Sequence, residues 1–477
     1  LAAAIRSRDV SPVEIVDAHL RRIEQLDRHV HAFVSVRAER AMSEAREAER
    51  ELVADGPRGP LHGVPVAIKD EGPLEGEPTS HGLRALAGLA ALDTGPDVRR
   101  LQAAGAIVLG KTNMPEFGHK GVTDNKFVGP TSSPFDLSKN AGGSSGGSAA
   151  AVGACFAPIA QGGDGGGSIR IPAALSGVFG LKASWGRVPV RTRPDAYAFA
   201  LPMVSYGPLA RTVEDAALML QIMAGPAPDD PLSLPRESVD YVAATRRDMR
   251  GARVGYWPDF GGFPVSRPVA EAVASTVQAL EDWGVRVEAI DSDLGAPLET
   301  ILTSWKRGAS LGYLVLIEAM REKGIDLLGE HADEISPSFL EYIAVGRGLT
   351  ALEHRQENVI RSRVFDRLEE LLARYDFIVT PTVSVGAVEN VGDGETIGPD
   401  TVESVAVDPV MGWALCCPVN FTGHPAASVP SGFTREGHPV GLQVIGRRFR
   451  DDEVLALSAT IERIQPWYEG YRERLAI

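Results

Sequence analysis

The chain has 477 residues, 44% apolar and 23% charged, with 48 Lys and Arg against 63 Asp and Glu for a net charge of −15. This is the composition of a soluble globular protein, and an acidic balance without a long basic block excludes nucleic-acid and anionic-membrane partners, because phosphate binding needs clustered Lys and Arg. The longest small, apolar run, Ala149 to Ala160, contains a Gly and a Pro and falls short of the roughly 20 residues that cross a bilayer.

The residues after Leu1 lack the apolar h-region of a signal peptide. Cys155, Cys416 and Cys417 are sparse and odd in number, and the adjacent pair suits neither an ordinary disulfide nor CxxC metal spacing. A reduced, cytoplasmic setting is therefore expected.

Along the chain, Ser11-Pro12-Val13-Glu14 predicts a capping box with Pro at the first helical position, followed by Ile15, Val16, Leu20 and Ile23 at helical spacing. A second helix is expected over Ala38 to Leu52, stopped by Asp55-Gly56-Pro57. Val64 to Ile68 and Ala106 to Leu109 predict strands, with a helix over Val98 to Ala104 between them. Glycine then concentrates, with 13 Gly from Ala141 to Gly186 where average usage predicts about three, so the backbone itself is wanted there.

After Leu209 the alternation resumes. Helices are expected over Val213 to Met223 and Val269 to Trp283, and strands over Arg253 to Tyr256 and Arg286 to Ile290. Residues 298–372 are mostly helical, Phe377 to Val379 and Gly441 to Ile445 return to strand, and Asp452 to Ile464 forms a last helix. This is an α/β pattern. Without a repeat or low-complexity linker it predicts one large domain over 1–477, divided into an N-terminal helical segment (1–55), a Gly-rich core (56–210) and the remaining α/β part (211–477).

Three motifs are decoys. Gly105 to Thr112 matches the P-loop pattern GxxxxGK[ST], but its four middle residues, Ala-Ile-Val-Leu, read as the strand itself, so a nucleotide-binding protein is a remote alternative. Val66-Ala67-Ile68-Lys69 and Asp259-Phe260-Gly261 resemble kinase motifs without the glycine-rich lid or the catalytic-loop Asp. The ten His show no HExxH or comparable ligand spacing, and no metal or cofactor is expected.

The chemistry concentrates elsewhere. Only 8 of the 48 basic residues are Lys, and six of these fall between positions 69 and 182. Arg cannot usefully lose its proton whereas a buried Lys can, so Lys69 on an apolar strand is a candidate base; a strand-end lysine reaching for solvent fits the same position. Gly142-Gly143-Ser144-Ser145-Gly146-Gly147-Ser148 positions backbone and hydroxyls unless it is a flexible linker. In Asp164-Gly165-Gly166-Gly167-Ser168, unencumbered amides can converge on a developing oxyanion while Ser168 presents its hydroxyl to the same carbonyl carbon. A phosphate nest is the competing reading, and only Arg170 is close enough to serve it.

Lys69, Ser144 and Ser168, 75 and 24 residues apart, with their flanking runs through Ile171-Pro172-Ala173, resemble the amidase signature family. Gly63 to Asp70, Lys111 to Phe117, Gly177 to Lys182 and Pro418-Val419-Asn420 extend the likeness over nearly the whole chain. The resemblance implies a mixed central sheet flanked by helices on both faces. It also implies a Ser-cisSer-Lys triad: Ser168 as nucleophile, Ser144 as relay in a cis peptide, and Lys69 as base and then acid. Amides of Gly165, Gly166 and Gly167 would hold the oxyanion, and Ser145, Asp164 and Arg170 would orient these groups. The activity implied is hydrolysis of small-molecule amides through an acyl-enzyme, with hydrazides, anilides or esters as further substrates, in an enzyme often homodimeric.

The family also contains the glutaminase component of a tRNA-dependent amidotransferase. That component is expected to carry an Asp five residues before the Pro of Pro-Val-Asn, and a basic pair on a late helix. Here Trp413 and Phe339-Leu340-Glu341-Tyr342 stand there, removing charge recognition. Pocket residues are expected in 190–205, 300–345 and 410–420, with Tyr313, Trp413 and Cys416 as an apolar lining. A stand-alone amidase is the preferred expectation.

Overall fold

Ser11 caps the first long helix, Pro12–Val30: its hydroxyl accepts from the Val13 amide at 3.0 Å, and Glu14 accepts from the Ser11 amide at 3.0 Å. Such a reciprocal cap contributes about 1 kcal/mol, and it turns Val16, Ile23 and Val30 inward. The computed structural model describes every residue except Phe199 and Leu201, together with every side chain of the rest but that of Arg472. Those two residues of the expected pocket stretch 190–205 lie outside the described part.

Among the described residues, eleven strands share one sheet: β1 Phe33–Val36, β2 Pro65–Lys69, β3 Ile107–Thr112, β4 Ile159–Asp164, β5 Phe179–Lys182, β6 Ser205–Ala210, β7 Arg253–Tyr256, β8 Arg286–Ala289, β9 Phe377–Pro381, β10 Ala426–Phe433 and β11 Pro439–Gly446. Their order is β1-β3-β2-β4-β6-β5-β10-β11-β9-β7-β8. The β3-β2-β4 and β9-β7-β8 runs are parallel and the remaining pairings antiparallel, so the sheet is mixed.

Strand periodicity divides the core in two. Val66, Ile68, Phe377, Val379, Leu442 and Val444 face one layer, where the helices Pro96–Ala103, Val213–Met223, Arg267–Trp283 and Asp451–Ile464 pack. Ala67, Ile378 and Ile445 face the other, covered by Pro12–Val30, Gly146–Gly153, Arg170–Leu175 and Ala351–Arg374. Burying each such Val, Ile or Leu is worth roughly 1.5–3 kcal/mol, so both faces need their helices.

The strands β1, β4, β5, β6 and β10 go beyond the sequence expectations. β4 reads Ile-Ala-Gln-Gly-Gly-Asp, with little intrinsic strand preference, yet it is paired on both sides, by β2 and β6. Tertiary pairing decides its conformation. The P-loop look-alike is indeed strand: β3 covers Ile107–Thr112, and Lys111, fully buried, donates to the carbonyls of Asp70 at 2.9 Å and Pro78 at 3.2 Å. No described helix is long and apolar enough to cross a membrane.

Candidate active site

β2 and β4 are parallel neighbours, so their C-terminal residues, Lys69 and Asp164, emerge on the same edge of the sheet. Two Gly-rich turns meet there. One precedes the helix Gly146–Gly153 and contains a cis peptide between Gly143 and Ser144. The other runs from Asp164 to the helix Arg170–Leu175. They are tied together by the Ser145 amide, which donates to the Ser168 carbonyl at 3.0 Å, and by the Ser145 hydroxyl, which donates to the Gly163 carbonyl at 3.2 Å.

Four lysines, Lys69, Lys111, Lys120 and Lys182, are almost completely buried. Three of them serve backbone carbonyls. Lys111 binds Asp70 and Pro78, Lys120 binds Gly394 and Thr396 at 2.7 and 2.9 Å, and Lys182 binds His424 at 2.7 Å. Lys69 alone meets a hydroxyl, with Nζ 2.9 Å from Ser144 Oγ. Its amide donates to Gln161 Oε1 at 3.1 Å, which fixes the end of the strand.

The Ser168 turn is held from within by Asp164. This carboxylate accepts from the Gly167 amide at 2.8 Å and the Ile169 amide at 3.2 Å, bracketing Ser168, and from Arg170 at 2.8 and 2.9 Å. Arg170 continues to Asn420 Oδ1 at 2.6 Å and the Cys416 carbonyl at 3.1 Å. Burial by itself raises a carboxyl, but the Arg170 guanidinium outweighs it and holds Asp164 well below the usual range. Asp164 and Arg170 are thus a permanent ion pair under the loop.

This arrangement corrects the expectation for Gly167. Its amide, at φ +127°, points to Asp164 and not outward. The amides of Gly165, Gly166 and Ser168 make no hydrogen bond to the described residues and are the unengaged donors of the turn. Gly167 is needed for another reason: a Cβ there would lie 2.5 Å from Cys416 Cβ at a positive φ that side chains avoid. Ser168 is half-buried, and its hydroxyl is not hydrogen-bonded to Ser144 or to any other described group.

Trp305, on the helix Leu298–Glu322, donates its indole N–H to the Gly165 carbonyl at 2.8 Å and so holds the turn. Behind it stand Tyr342, 6.2 Å away between ring centres, and Tyr313, 5.5 Å from Tyr342 and 5.2 Å from Phe339. Of the expected lining, Tyr313 is half-buried in this aromatic group. Trp413 is fully buried with its N–H on the Pro409 carbonyl at 3.1 Å, a core position behind the turn. Cys416 is also fully buried; burial pushes its thiol up to about 12, so it is a neutral wall.

Sequence reasoning did not name Trp305 or Met411, which flank Gly166, although both lie in its expected pocket stretches 300–345 and 410–420. A signal existed, since Trp305 and Tyr313 are eight residues apart on one helix and share a face.

The model of the family named Amidase matches residues 14–455. The acylamidase of Rhodococcus erythropolis is 35% identical over 469 residues, covering 98% of this chain and 95% of that protein. A glutamyl-tRNA(Gln) amidotransferase subunit of Halorhodospira halophila is also 35% identical, over 99% of this chain and 98% of its own length. Among solved structures, a bacterial aryl acylamidase of the amidase signature enzymes superposes with a TM-score of 0.95 at 35% identity, covering 100% of this chain and 97% of that one. The corresponding amidotransferase subunit of Thermotoga maritima gives 0.76 at 29% identity, covering 96% and 93%.

Proposed function

The chain belongs to the amidase family and is an enzyme that hydrolyses the C–N bond of carboxylic amides, and from that premise we propose that Lys69, Ser144 and Ser168 are its catalytic triad. The observation that carries the assignment is the 2.9 Å contact between Lys69 and Ser144, the one buried lysine of four that faces a hydroxyl. In this mechanism Ser168 Oγ attacks the amide carbonyl carbon as its proton passes to Ser144 and the Ser144 proton passes to Lys69. The oxyanion is received by the free amides of Gly165, Gly166 and Ser168, and each such donor is worth roughly 3–4 kcal/mol in the transition state. Lys69 then returns a proton through Ser144 to the leaving nitrogen. Water attacks the acyl-enzyme by the reverse relay. The link from Ser144 to Ser168 closes with substrate bound, as such contacts commonly do.

The substrate is an amide with an aryl or alkyl acyl group, with anilides, hydrazides and esters in reach. Trp305 and Met411 beside the free amides, with Tyr313 in the aromatic group next to Trp305, support this, as does Trp413 where the amidotransferase component is expected to carry an Asp. The fit to the aryl acylamidase, 0.95 against 0.76 for the amidotransferase component, supports a stand-alone enzyme. The same reading carries a cytoplasmic enzyme, alone or as a homodimer.

The test is turnover by the isolated chain on neutral anilides, aryl amides, hydrazides and glutamine. The proposal expects release of amine from the apolar substrates without added protein. Reaction with glutamine alone, or only after partner proteins are added, would contradict it.

A further inference from the structure

Besides Ser144 Oγ and the Gly163 carbonyl, to which Nζ donates at 3.5 Å, Lys69 has a third polar neighbour. The turn Lys69-Asp70-Glu71-Gly72 closes with the Gly72 amide donating to the Lys69 carbonyl at 2.8 Å, and this folds Glu71 back over the end of β2. Glu71 Oε1 lies 3.1 Å from Lys69 Nζ, its side chain 16% exposed, and this oxygen has no hydrogen-bond partner among the described residues. Room for it is made by Gly163 on β4, where a Cβ would overlap Glu71 Oε1 and lie 2.8 Å from the Tyr206 ring. Any side chain at 163 would evict the carboxylate from Lys69. The neighbouring acid Asp70 is turned elsewhere, accepting from Ser80 at 2.6 Å and facing Lys111 at 3.6 Å.

We propose that Glu71 is a positioning residue for the reaction, an anion that orients Lys69 towards Ser144 and stabilises the ammonium which forms when Lys69 takes the relay proton. The inference rests on the triad reading above. The Ser168 proton goes to Ser144 Oγ and the Ser144 proton to Lys69 Nζ, and Glu71 takes no part in the transfer. On collapse the Lys69 proton returns through Ser144 to the leaving nitrogen. Glu71 thus does for a lysine base what the buried Asp of a Ser-His-Asp triad does for the imidazolium.

Other charges face the pair. They are Asp70 and Lys111, which hold one another; Asp97, raised to about 6 by burial and bonded to Gln161; His81, lowered by burial; and the phenols of Tyr206 and Tyr313, which burial raises.

The experiment compares wild type, Glu71→Gln and Glu71→Asp as full-length chains on 4-nitroacetanilide across pH 5–10, with melting temperatures to verify folding. Because Asp97 titrates in the same range, the profile is repeated in an Asp97→Asn background. Glu71→Gln is expected to lower the plateau kcat roughly 10- to 100-fold, to leave KM within about threefold, and to move the acidic limb of kcat/KM to lower pH. Glu71→Asp, which keeps the charge at longer reach, is expected to fall between them, and it carries the test if the Gln variant does not fold. An unmoved acidic limb, whatever the plateau, overturns the inference, as does a rise in KM at unchanged kcat. Lys69→Ala and Ser168→Ala run alongside. If they retain turnover the triad reading itself fails; if they are inactive while Glu71→Gln behaves as wild type, only the role of Glu71 falls.

Discussion

The turn between Asp164 and Ser168 offers two adjacent glycines that chemistry treats alike and geometry does not. A Cβ at Gly166 would lie 2.5 Å from Trp305 Cζ2, 2.9 Å from Cε2 and 3.1 Å from Met411 Cε. One at Gly165 would meet Val204 Cγ2 at 3.1 Å, with its next neighbours at 4.0 Å. Carbon contacts relax near 3.5–4.0 Å, so Gly166→Ala must separate the turn from the indole by about 1 Å, whereas Gly165→Ala asks a few tenths of a rotatable Val methyl. The indole cannot retreat freely, because its N–H holds the Gly165 carbonyl at 2.8 Å.

Overpacking of this kind costs about 1–3 kcal/mol of stability, and a 1 Å displacement of aligned donors costs about 100-fold in rate. Gly166→Ala is therefore expected to lose about 100-fold in kcat with a small fall in melting temperature, and Gly165→Ala less than about tenfold. Initial rates of anilide hydrolysis, read with thermal melts of both variants, check this. Equal kcat in the two variants, or full activity of Gly166→Ala, would refute the claim that Trp305 fixes the turn carrying the free amides.

Two further outcomes concern buried carboxyls of opposite behaviour. Asp164→Asn leaves Arg170 buried without its counter-ion and is expected to destabilise the chain by about 3–5 kcal/mol at pH 7. Because Asp164 is held below its ordinary 3.8 in the folded chain, that stabilisation is complete above about pH 5 and is lost as pH falls through the folded value. Urea melts of both proteins should converge in acid. Glu116, next to the Gly118 that packs on Ser144, is raised by burial from 4.5 to about 7. Its contribution is complete below about pH 4.5 and is lost as pH rises through about 7, a change of about 3 kcal/mol at most, so Glu116→Gln should flatten the stability profile between those limits. An unchanged slope would show that Glu116 does not titrate there.

Most of the longer helices and the strands β2, β3, β7, β8, β9 and β11 are legible in the sequence because their apolar period or β-branched runs are undiluted, and Pro12–Val30 begins at a cap that the residues themselves announce. The edge strand β1, the strands β4, β5, β6 and β10, and the short helices Gly146–Gly153 and Arg170–Leu175 are not. β4 has two glycines and a glutamine, and its conformation comes from β2 and β6 on either side. The candidate triad is legible as spacing and residue type, but the direction of each amide is not: Gly165, Gly166 and Gly167 look equivalent in sequence, and only the Asp164 carboxylate distinguishes the third. Glu71 carries no sequence signal, because a carboxylate two residues from a lysine is ordinary until a glycine on the next strand lets it approach.

The central claim is tested most directly by trapping the acyl-enzyme. Wild type and Ser168→Ala are mixed with an aryl ester or anilide, quenched in acid, digested and weighed peptide by peptide. One acyl group is expected on the peptide containing Ser168 in wild type and none in the variant, which also releases no amine. An acyl group on another residue, or turnover by Ser168→Ala, would contradict it.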